Sequence, residues 1–583
     1  GFTSGPGIGG DSLGATLSES GTIITSSDTT GATGDILSSG ASASAITLPT
    51  DCTIVGEGAD QVTICESSGP QTLPGDSAGG AQSASASETT WTDLTPSADS
   101  KLVYVSSSVG QDGGDGSEAF PFASIADGYA ALRDGFPDHL LIKCGDTFTE
   151  SFPEWQKSGR SATQRMVVRS YGTGERPLIK TGTAGAISVR GLTGGADRRY
   201  LAFVGLDLWA HTNTGSSDKS GITLIAGGGA VDSILIEDCR IRQYRFNVSG
   251  EGIETRLSNI EIRRSVIADA IDASDAHRAA GILFGETDGL LLEECYLDHN
   301  GWSESIAGIP ATQQSHNVYI NPSTCTGVTT RGNISARAAA SGLRSGGSLC
   351  ELNVLLANPI GITLGPDTAV VRYNCVLDGR DIGSDPRGMG MDGAIGADVQ
   401  IYDNVISHQA TGTGNVRGIS LGGVYTGLRL HSNVIYLWVQ GANNQAPGLF
   451  LNGSPISDAR VYSNDIQQAG GACIQYPSGI TGHVFTGNRY YSDNATPFIG
   501  PSSSIAYAAW VTASGETGSS NSAVSYTAPS RTVATYMTSL GLTATLAAFM
   551  AACREQSRAN WDSRFTAEAL NNYIRAGFGL AAV

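Results

Sequence analysis

Apolar residues flank one polar position in a frame that returns eleven times between residues 206 and 488. The frame is apolar-x-x-Asn-x-apolar, with other residues at the Asn position in the earlier copies; two clear examples are Ile401–Ile406 and Leu430–Ile435. Twenty of the twenty-two flanking positions are apolar, whereas a composition that is 40% apolar would give roughly nine. The anchor positions are Leu206, Cys239, Ser265, Cys295, Asn333, Asn353, Asn374, Asn404, Asn433, Asn464 and Asn488.

The spacing between successive anchors varies from 20 to 38 residues. Such a repeat predicts stacked coils that share a core and differ in their loops. Parallel coils stack about 4.8 Å apart, so the anchor side chains lie over one another, and stacked amides can hydrogen-bond along the pile. We therefore predict an all-β solenoid of about eleven or more coils with an Asn ladder, about 50 Å long.

Over residues 101–500 this pattern resembles the right-handed parallel β-helix of the pectate-lyase-like superfamily. The resemblance is specific for fold, because that superfamily includes lyases, hydrolases, epimerases, phage tailspikes and adhesins. The sequence lacks the catalytic motifs of several members. No lysine follows Lys219 to form the Lys/Arg pair of one lyase family, and the Asn-Thr-Asp, Gly-His-Gly and Arg-Ile-Lys set of polygalacturonases and the Asp-Pro-His motif of alginate epimerases are missing.

Residues outside the repeat predict caps and an N-terminal segment. Residues 122–133 have the spacing of an amphipathic helix, which we expect to cover the N-terminal end of the solenoid. Residues 501–583 are predicted to be mostly α-helical and to cover the far end of the rod or a groove on its side, with a partner-docking helix pair as the alternative. Residues 1–100, rich in Ser, Thr and Gly, predict a small β module plus a linker, a strand exchanged with a neighbour, or a flexible segment.

The chain is acidic, with a net charge of −20 and an isoelectric point near 4.8. Nucleic acid and anionic membranes are therefore disfavoured as partners, and no stretch is long and apolar enough to span a bilayer. We expect an extracellular or cell-surface protein that binds a polysaccharide and that could form a homo-oligomer or filament through its terminal segments. Cys52 and Cys65 could pair in an oxidising compartment. No cofactor is expected, although the Asp-rich turn at 111–115 could bind calcium.

A second strand precedes many of the anchor strands, in the frame Gly-apolar-x-apolar-Gly or a close variant. Its second residue is apolar and is predicted to face inward, so alternation turns the third residue outward. The largest insertions before this strand, 301–315 and 379–397, would form the walls of a groove over this outward row. The row comprises Leu283, Tyr319, Arg344, Thr363, Ser420 and Phe450.

The predicted groove brings together residues that suit β-elimination from a uronate. Arg344 could neutralise the uronate carboxylate and acidify the C5 proton, which His316 or Tyr319 could remove before protonating the leaving oxygen. Each has a structural alternative: a hydrogen bond for His316, cover over apolar surface for Tyr319, and pairing with a loop carboxylate for Arg344. The residues assigned to substrate binding are Asp298, His299, Asn317, Arg337, Arg380 and Asp381. Further loop candidates are Asp385 and Arg387.

Three functions are compatible with this pattern. A polysaccharide lyase that cleaves an acidic polysaccharide is favoured. The first alternative is a non-catalytic structural or adhesive protein of a surface, appendage or tail fibre, which the low-complexity N-terminus and the acidic surface support. The second is a glycoside hydrolase, which needs two carboxylates about 5–10 Å apart and for which Asp298 and Asp381 are the nominated pair.

Overall fold

The computed structural model describes residues 91–583 except 192–194, 346, 367, 382–386, 410–414 and 439–445, together with the backbone of two short strands near the N-terminus. These strands, Cys52–Val55 and Val62–Cys65, form an antiparallel pair within a separate N-terminal unit. Cys52 lies opposite Cys65 in that pair. Their side chains lie outside the described residues, so the disulfide stays a prediction.

Three long sheets make up the second unit, and each turn of the chain contributes one strand to each sheet. Sheet A holds the strands that end just before the anchor positions: Leu102–Val105, His139–Lys143, Met166–Tyr171, Arg198–Val204, Val231–Glu237, Leu257–Arg263, Thr287–Glu293, Thr326–Arg331, Leu349–Glu351, Val370–Arg372, Gln400–Tyr402, Arg429–His431, Ala459–Tyr462 and His483–Thr486.

Sheet B holds the strands that follow the anchors: Thr147–Phe148, Leu178–Lys180, Asp207–Trp209, Arg240–Arg242, Val266–Ala268, Tyr296–Asp298, Ile334–Ala336, Val354–Leu356, Cys375–Leu377, Val405–Ser407, Val434–Tyr436, Asp465–Gln468, Arg489–Ser492 and Ser520–Asn521. Sheet C closes each coil with Ile187–Gly191, Ser220–Ala226, Phe246–Gly252, Ala280–Phe284, His316–Ile320, Ser341–Ser345, Ile360–Leu364, Arg387–Ala397, Asn415–Thr426, Pro447–Ser457, Ala472–Gln475, Phe498–Ile499 and Ser504–Ile505.

Neighbouring strands in these sheets run parallel, except for the last pair of sheet C. Sheets of fourteen, fourteen and thirteen described strands confirm the predicted right-handed parallel β-helix of eleven or more coils. The register is the one that the repeat requires: Phe203, Ile236, Ile262 and Leu292 pair in succession across sheet A and are all buried. Stacked aliphatic side chains of this kind fill the interior of the rod.

The predicted Asn ladder is present and fully buried. The side-chain Nδ2 of Asn353 donates to Oδ1 of Asn374 in the next coil at 3.0 Å and to the Thr330 carbonyl of the preceding coil at 3.0 Å. Its own Oδ1 accepts from the backbone N–H and Nδ2 of Asn333. One amide therefore links three coils. The same pattern repeats from Asn333 through Asn488.

Cysteine and serine extend the ladder toward the N-terminus. The cysteine thiol takes the place of the amide donor, and the serine hydroxyl takes the place of the amide acceptor. The thiols of Cys239 and Cys295 donate to the carbonyls of Phe203 and Ile262, the position that Asn Nδ2 contacts elsewhere. Ser265 Oγ accepts from the backbone N–H of Cys239 at 3.1 Å, as Asn Oδ1 does in later coils. These small buried side chains are thus polar members of the ladder rather than plain apolar filler.

Two helices cover the open ends of the rod. Helix α1, Ile125–Ala130, places buried Ile125 on the N-terminal coil, and a side chain at Gly128 would collide with Val105 and Leu140. Helix α2, Tyr507–Ser514, places buried Trp510 on the last coil, where its ring stacks on Phe498. The predicted N-terminal cap helix is therefore confirmed.

The remaining helices pack along the side of the rod, on the outer face of sheet B. They are α3 (Val533–Ser539), α4 (Leu546–Arg554), the 3₁₀ turn Ser563–Phe565 and α5 (Ala567–Gly577). Most of the outward side chains of sheet B from Val266 through Val434 are apolar and would otherwise face water, which explains why this segment covers them. None of the helices among the described residues has the length and apolarity to cross a membrane.

The ladder ends on a carboxylate. Each ladder amide donates its backbone N–H and one Nδ2–H to the next coil, so the last coil needs an acceptor beyond it. Buried Glu516 supplies it: its carboxylate accepts from the backbone N–H and Nδ2 of Asn488, from Tyr490 Oη and from Trp510 Nε1.

We expect Glu516→Gln to destabilise the protein by about 1–3 kcal/mol, because the amide NH₂ would face donors that then lack an acceptor. Urea denaturation followed by tryptophan fluorescence measures the loss. The exposed Glu118→Gln is the matched control. Equal midpoints for the two variants would contradict the role of Glu516 as the end of the ladder.

Candidate functional site

The outward row on sheet C runs down the length of the rod. Leu283, Tyr319, Arg344 and Thr363 pair in succession, in the order that the sequence predicts. The structure adds Asp392 between Thr363 and Ser420. The sequence predicts an insertion at 379–397, although Gly390-Met391-Asp392 begins with the Gly-apolar-x frame of the other strands. The strand Arg387–Ala397 corrects that assignment.

A cavity of about 560 Å³ opens over Tyr319 and Arg344. Three guanidinium groups line it, from Arg245, Arg278 and Arg344, and none of its described lining residues is a carboxylate. In a chain with net charge −20, this is a local concentration of positive charge. The other lining residues are Phe246, Ala279, Ala280, Leu283, Gln313, Gln314, His316 and Tyr319.

Arg344 is available to bind a ligand. Its guanidinium carbon lies 4.7 Å from the centre of the Tyr319 ring, and it makes no hydrogen bond or ion pair with any described residue. The structural alternative for Arg344 was pairing with a loop carboxylate, and no such pair occurs among the described residues. Tyr319 is half-buried, with the His316 ring centre 5.4 Å from its own.

His316 is neutral and oriented by the backbone. Its Nδ1 accepts from the backbone N–H of Ser341 at 3.3 Å, which leaves the ring proton on Nε2. Burial, together with the charge of Arg344, lowers the pKa of His316 to about 3. The ring can therefore donate a hydrogen bond through Nε2 but has no free nitrogen with which to remove a proton. Of the two residues predicted to remove the C5 proton, His316 and Tyr319, this geometry favours Tyr319.

Arg245 and Arg278 were not among the sequence candidates. Arg245 pairs with Asp272 at 3.3 Å and lies over the ring of Phe246, whereas exposed Arg278 has no side-chain partner among the described residues. A signal was present in the sequence: both stand within two residues of the start of a strand of sheet C. Basic residues near the starts of neighbouring strands on successive coils are brought close together by stacking.

Asn317 lies inside the coil rather than in the groove. It is fully buried in a second, shorter stack of amides at the corner between sheets B and C. Its Oδ1 accepts from Asn300, and its Nδ2 donates to Ser335 Oγ and to the Ala336 carbonyl. Because its donors and its acceptor are all used, Asn317 is not available to a substrate.

Asp298, His299 and Arg337 lie at the edge of sheet B, where the C-terminal segment covers it. Fully buried Asp298 accepts from Arg337 and from Arg554 of helix α4. His299 bridges Asp269 and the insertion residue Glu304 through its two ring nitrogens. These residues hold the C-terminal segment and the 301–315 insertion to the rod. Because it is buried and paired, Asp298 is not available to bind a substrate or to act as one of the two carboxylates of a hydrolase.

The remaining candidates lie beside the second insertion. Arg380 lies over the Trp302 ring at 4.9 Å and donates to the Ala338 carbonyl. Asp381 is half-buried at the start of that insertion, Arg387 begins a strand of sheet C, and Asp385 lies outside the described residues. None of these is among the residues that line the cavity.

A metal site is not evident from side chains. Within the described ranges, no group of three or more His, Cys, Asp or Glu side chains converges as metal ligands would. In the turn at 111–115, Asp115 Oδ1 accepts from the backbone N–H of Ser117. Calcium binding at that turn stays a prediction.

Neither a family model nor a curated protein matches the chain. Among solved structures, the native GH136 lacto-N-biosidase from Eubacterium ramulus is similar with a TM-score of 0.34 and 13% identity, over 72% of this chain and 68% of that one. Pectate lyase Pel9A is similar with a TM-score of 0.31 and 12% identity, over 52% of this chain and 79% of that one. A rhamnogalacturonan lyase is similar with a TM-score of 0.28 and 14% identity, over 64% of this chain and 84% of that one. These likenesses concern the fold alone, and the chemistry depends on the cavity.

Burial of neutral His316 makes stability depend on pH. The unfolded chain takes up a proton on this residue below about pH 6.5, while the folded protein does not until about pH 3. The unfolded state therefore binds more protons in this window, and stability falls as the pH drops through it. We expect His316→Gln to flatten the loss of unfolding free energy between pH 6.5 and 4, measured by urea denaturation at several pH values. Parallel profiles for variant and parent would contradict this.

Proposed function

We propose that this protein is a polysaccharide lyase that cleaves a uronate-containing polymer by β-elimination. The observation that carries the proposal is the cavity on sheet C, where Arg245, Arg278 and Arg344 converge and no carboxylate of the described part of the chain lines the wall. A site of this charge on an acidic protein suits an anionic ligand, and guanidinium groups bind carboxylates bidentately. We also propose that it acts outside the cell, where such polymers are found.

Binding of the uronate carboxylate would prepare the substrate for proton loss. Arg344 and Arg278, which have no carboxylate partner among the described residues, would neutralise the C6 carboxylate. Neutralisation makes the C5 proton more acidic and stabilises the negative charge that develops when it leaves. The Nε2–H of His316 would donate to the same carboxylate or to the leaving oxygen.

Tyr319 would carry the proton. As phenolate it would take the C5 proton, the C4–O4 bond would break as the C4=C5 double bond forms, and the phenol would return a proton to O4. The products are a sugar with a new reducing end and an unsaturated uronate, so no water is consumed. Tyr319 lies over the cavity floor next to Arg344, which places proton transfer and carboxylate binding within one sugar unit.

The two alternatives have less support. The hydrolase hypothesis needs a pair of available carboxylates at the point of cleavage. Its nominated member Asp298 is buried between Arg337 and Arg554, and the described residues that line the cavity over Tyr319 and Arg344 include no carboxylate. A non-catalytic surface or tail-fibre protein would use the same rod but would give no account of Arg344 and Arg278, which have no carboxylate partner in the described part of the chain.

We expect Arg344→Ala to lower kcat/KM by about 10- to 100-fold, and Tyr319→Phe to lower kcat by about 100-fold or more. The assay follows the ultraviolet absorbance of unsaturated products from a panel of uronate polysaccharides. Arg344→Ala leaves no buried carboxylate unpaired, so its melting temperature should match the parent. Gln475→Ala, on the same outward row but outside the cavity, is the control with full activity.

Each other outcome points to a different function. New reducing ends without unsaturated product would identify a hydrolase. Absence of turnover on every polymer, with trimers or filaments in solution, would support the structural alternative. Full elimination activity in Arg344→Ala would remove that residue from the mechanism.

A further inference from the structure

The arginine-lined cavity continues into a second cavity of about 480 Å³ along sheet C, toward the N-terminal end of the rod. Phe246, Leu283 and Tyr319 line both, so the two form one cleft. Its floor is the outward row from Thr223 to Arg344, which crosses five strands and is about 19 Å long at the usual strand spacing. A cleft of this length holds several sugar units.

The two halves of the cleft carry opposite charge. The second half is lined by Asp218, Glu251 and Glu286, with Arg190 and Lys219 as its cations. Asp218 is neutralised by Lys219 at 3.0 Å. Glu251 and Glu286 have no side-chain partner among the described residues. Two available carboxylates against one available guanidinium leave this half acidic, whereas the first half is basic.

Hydroxyl groups add to the polar character of the acidic half. Ser220, Thr223 and Ser249 line it, and the hydroxyl of Ser249 donates to Ser220 Oγ at 2.9 Å. Carboxylates and hydroxyls accept hydrogen bonds from the OH groups of a neutral sugar. The same carboxylates would repel a sugar that carries its own carboxylate, which is discrimination by repulsion.

Resting on the proposed elimination, we infer that the substrate is a heteropolymer in which a neutral sugar is linked to O4 of a uronate. The uronate occupies the arginine half, the neutral sugar occupies the half lined by Glu251 and Glu286, and Tyr319 lies at the boundary. Cleavage of the C4–O4 bond there leaves O4 on the neutral sugar as its new reducing-end hydroxyl and the double bond on the uronate.

The test compares two hexasaccharides, one of uronate only and one of alternating uronate and neutral hexose. Calorimetry on the Tyr319→Phe protein measures binding without cleavage. We expect the alternating probe to bind at least 10-fold more tightly. Adding Glu251→Gln and Glu286→Gln together should remove most of that difference by improving the uronate-only probe, because the repulsion is gone. Adding Glu118→Gln, outside the cleft, should change neither affinity.

The outcomes separate this inference from the proposed function. Equal affinity for both probes, unchanged by the Glu251 and Glu286 substitutions, would overturn the inference while leaving the lyase proposal in place. Binding of neither probe would overturn both. Mass spectrometry of parent-enzyme products supplies an independent check: a uronate at the new reducing end would contradict the assignment of the two halves.

Discussion

The register between stacked coils is the constraint on which the rest of this structure depends. Each ladder amide contacts both neighbouring coils, so a coil that slipped by one residue would lose hydrogen bonds between fully buried groups. A one-residue slip would also turn every outward side chain of the coil inward. The adjacency of Tyr319 and Arg344 on sheet C therefore depends on amides at another corner of the rod.

The same residue type serves two purposes on different faces. On sheet A, arginines alternate with glutamates in register: Arg331 bridges Glu293 and Glu351, and Arg372 also pairs with Glu351. Those guanidinium groups are satisfied and stabilise the stack of coils. In the cleft on sheet C, Arg344 and Arg278 have no such partner within the described ranges. Unsatisfied positive charge at a concave surface is what distinguishes a binding site from a structural ladder.

The C-terminal segment decides which face is left for ligands. The outer face of sheet B is mostly apolar between Val266 and Val434, and helices α3 to α5 bury it. Arg554 of α4 anchors that segment to Asp298 and Asp269. Sheet B is thereby closed, while the cleft on sheet C stays open to solvent.

The sequence alone determined the fold, the ladder and most of the outward row, because these follow from a local period-2 alternation repeated once per coil. Tyr319 and Arg344 were therefore predictable as neighbours. Tertiary structure decided which other side chains join them. The convergence of Arg245 and Arg278 depends on loop lengths between coils, and Asp298 is buried by Arg554, 256 residues further along the chain. Packing of distant segments leaves no periodic trace, so no local pattern could have assigned the role of Asp298.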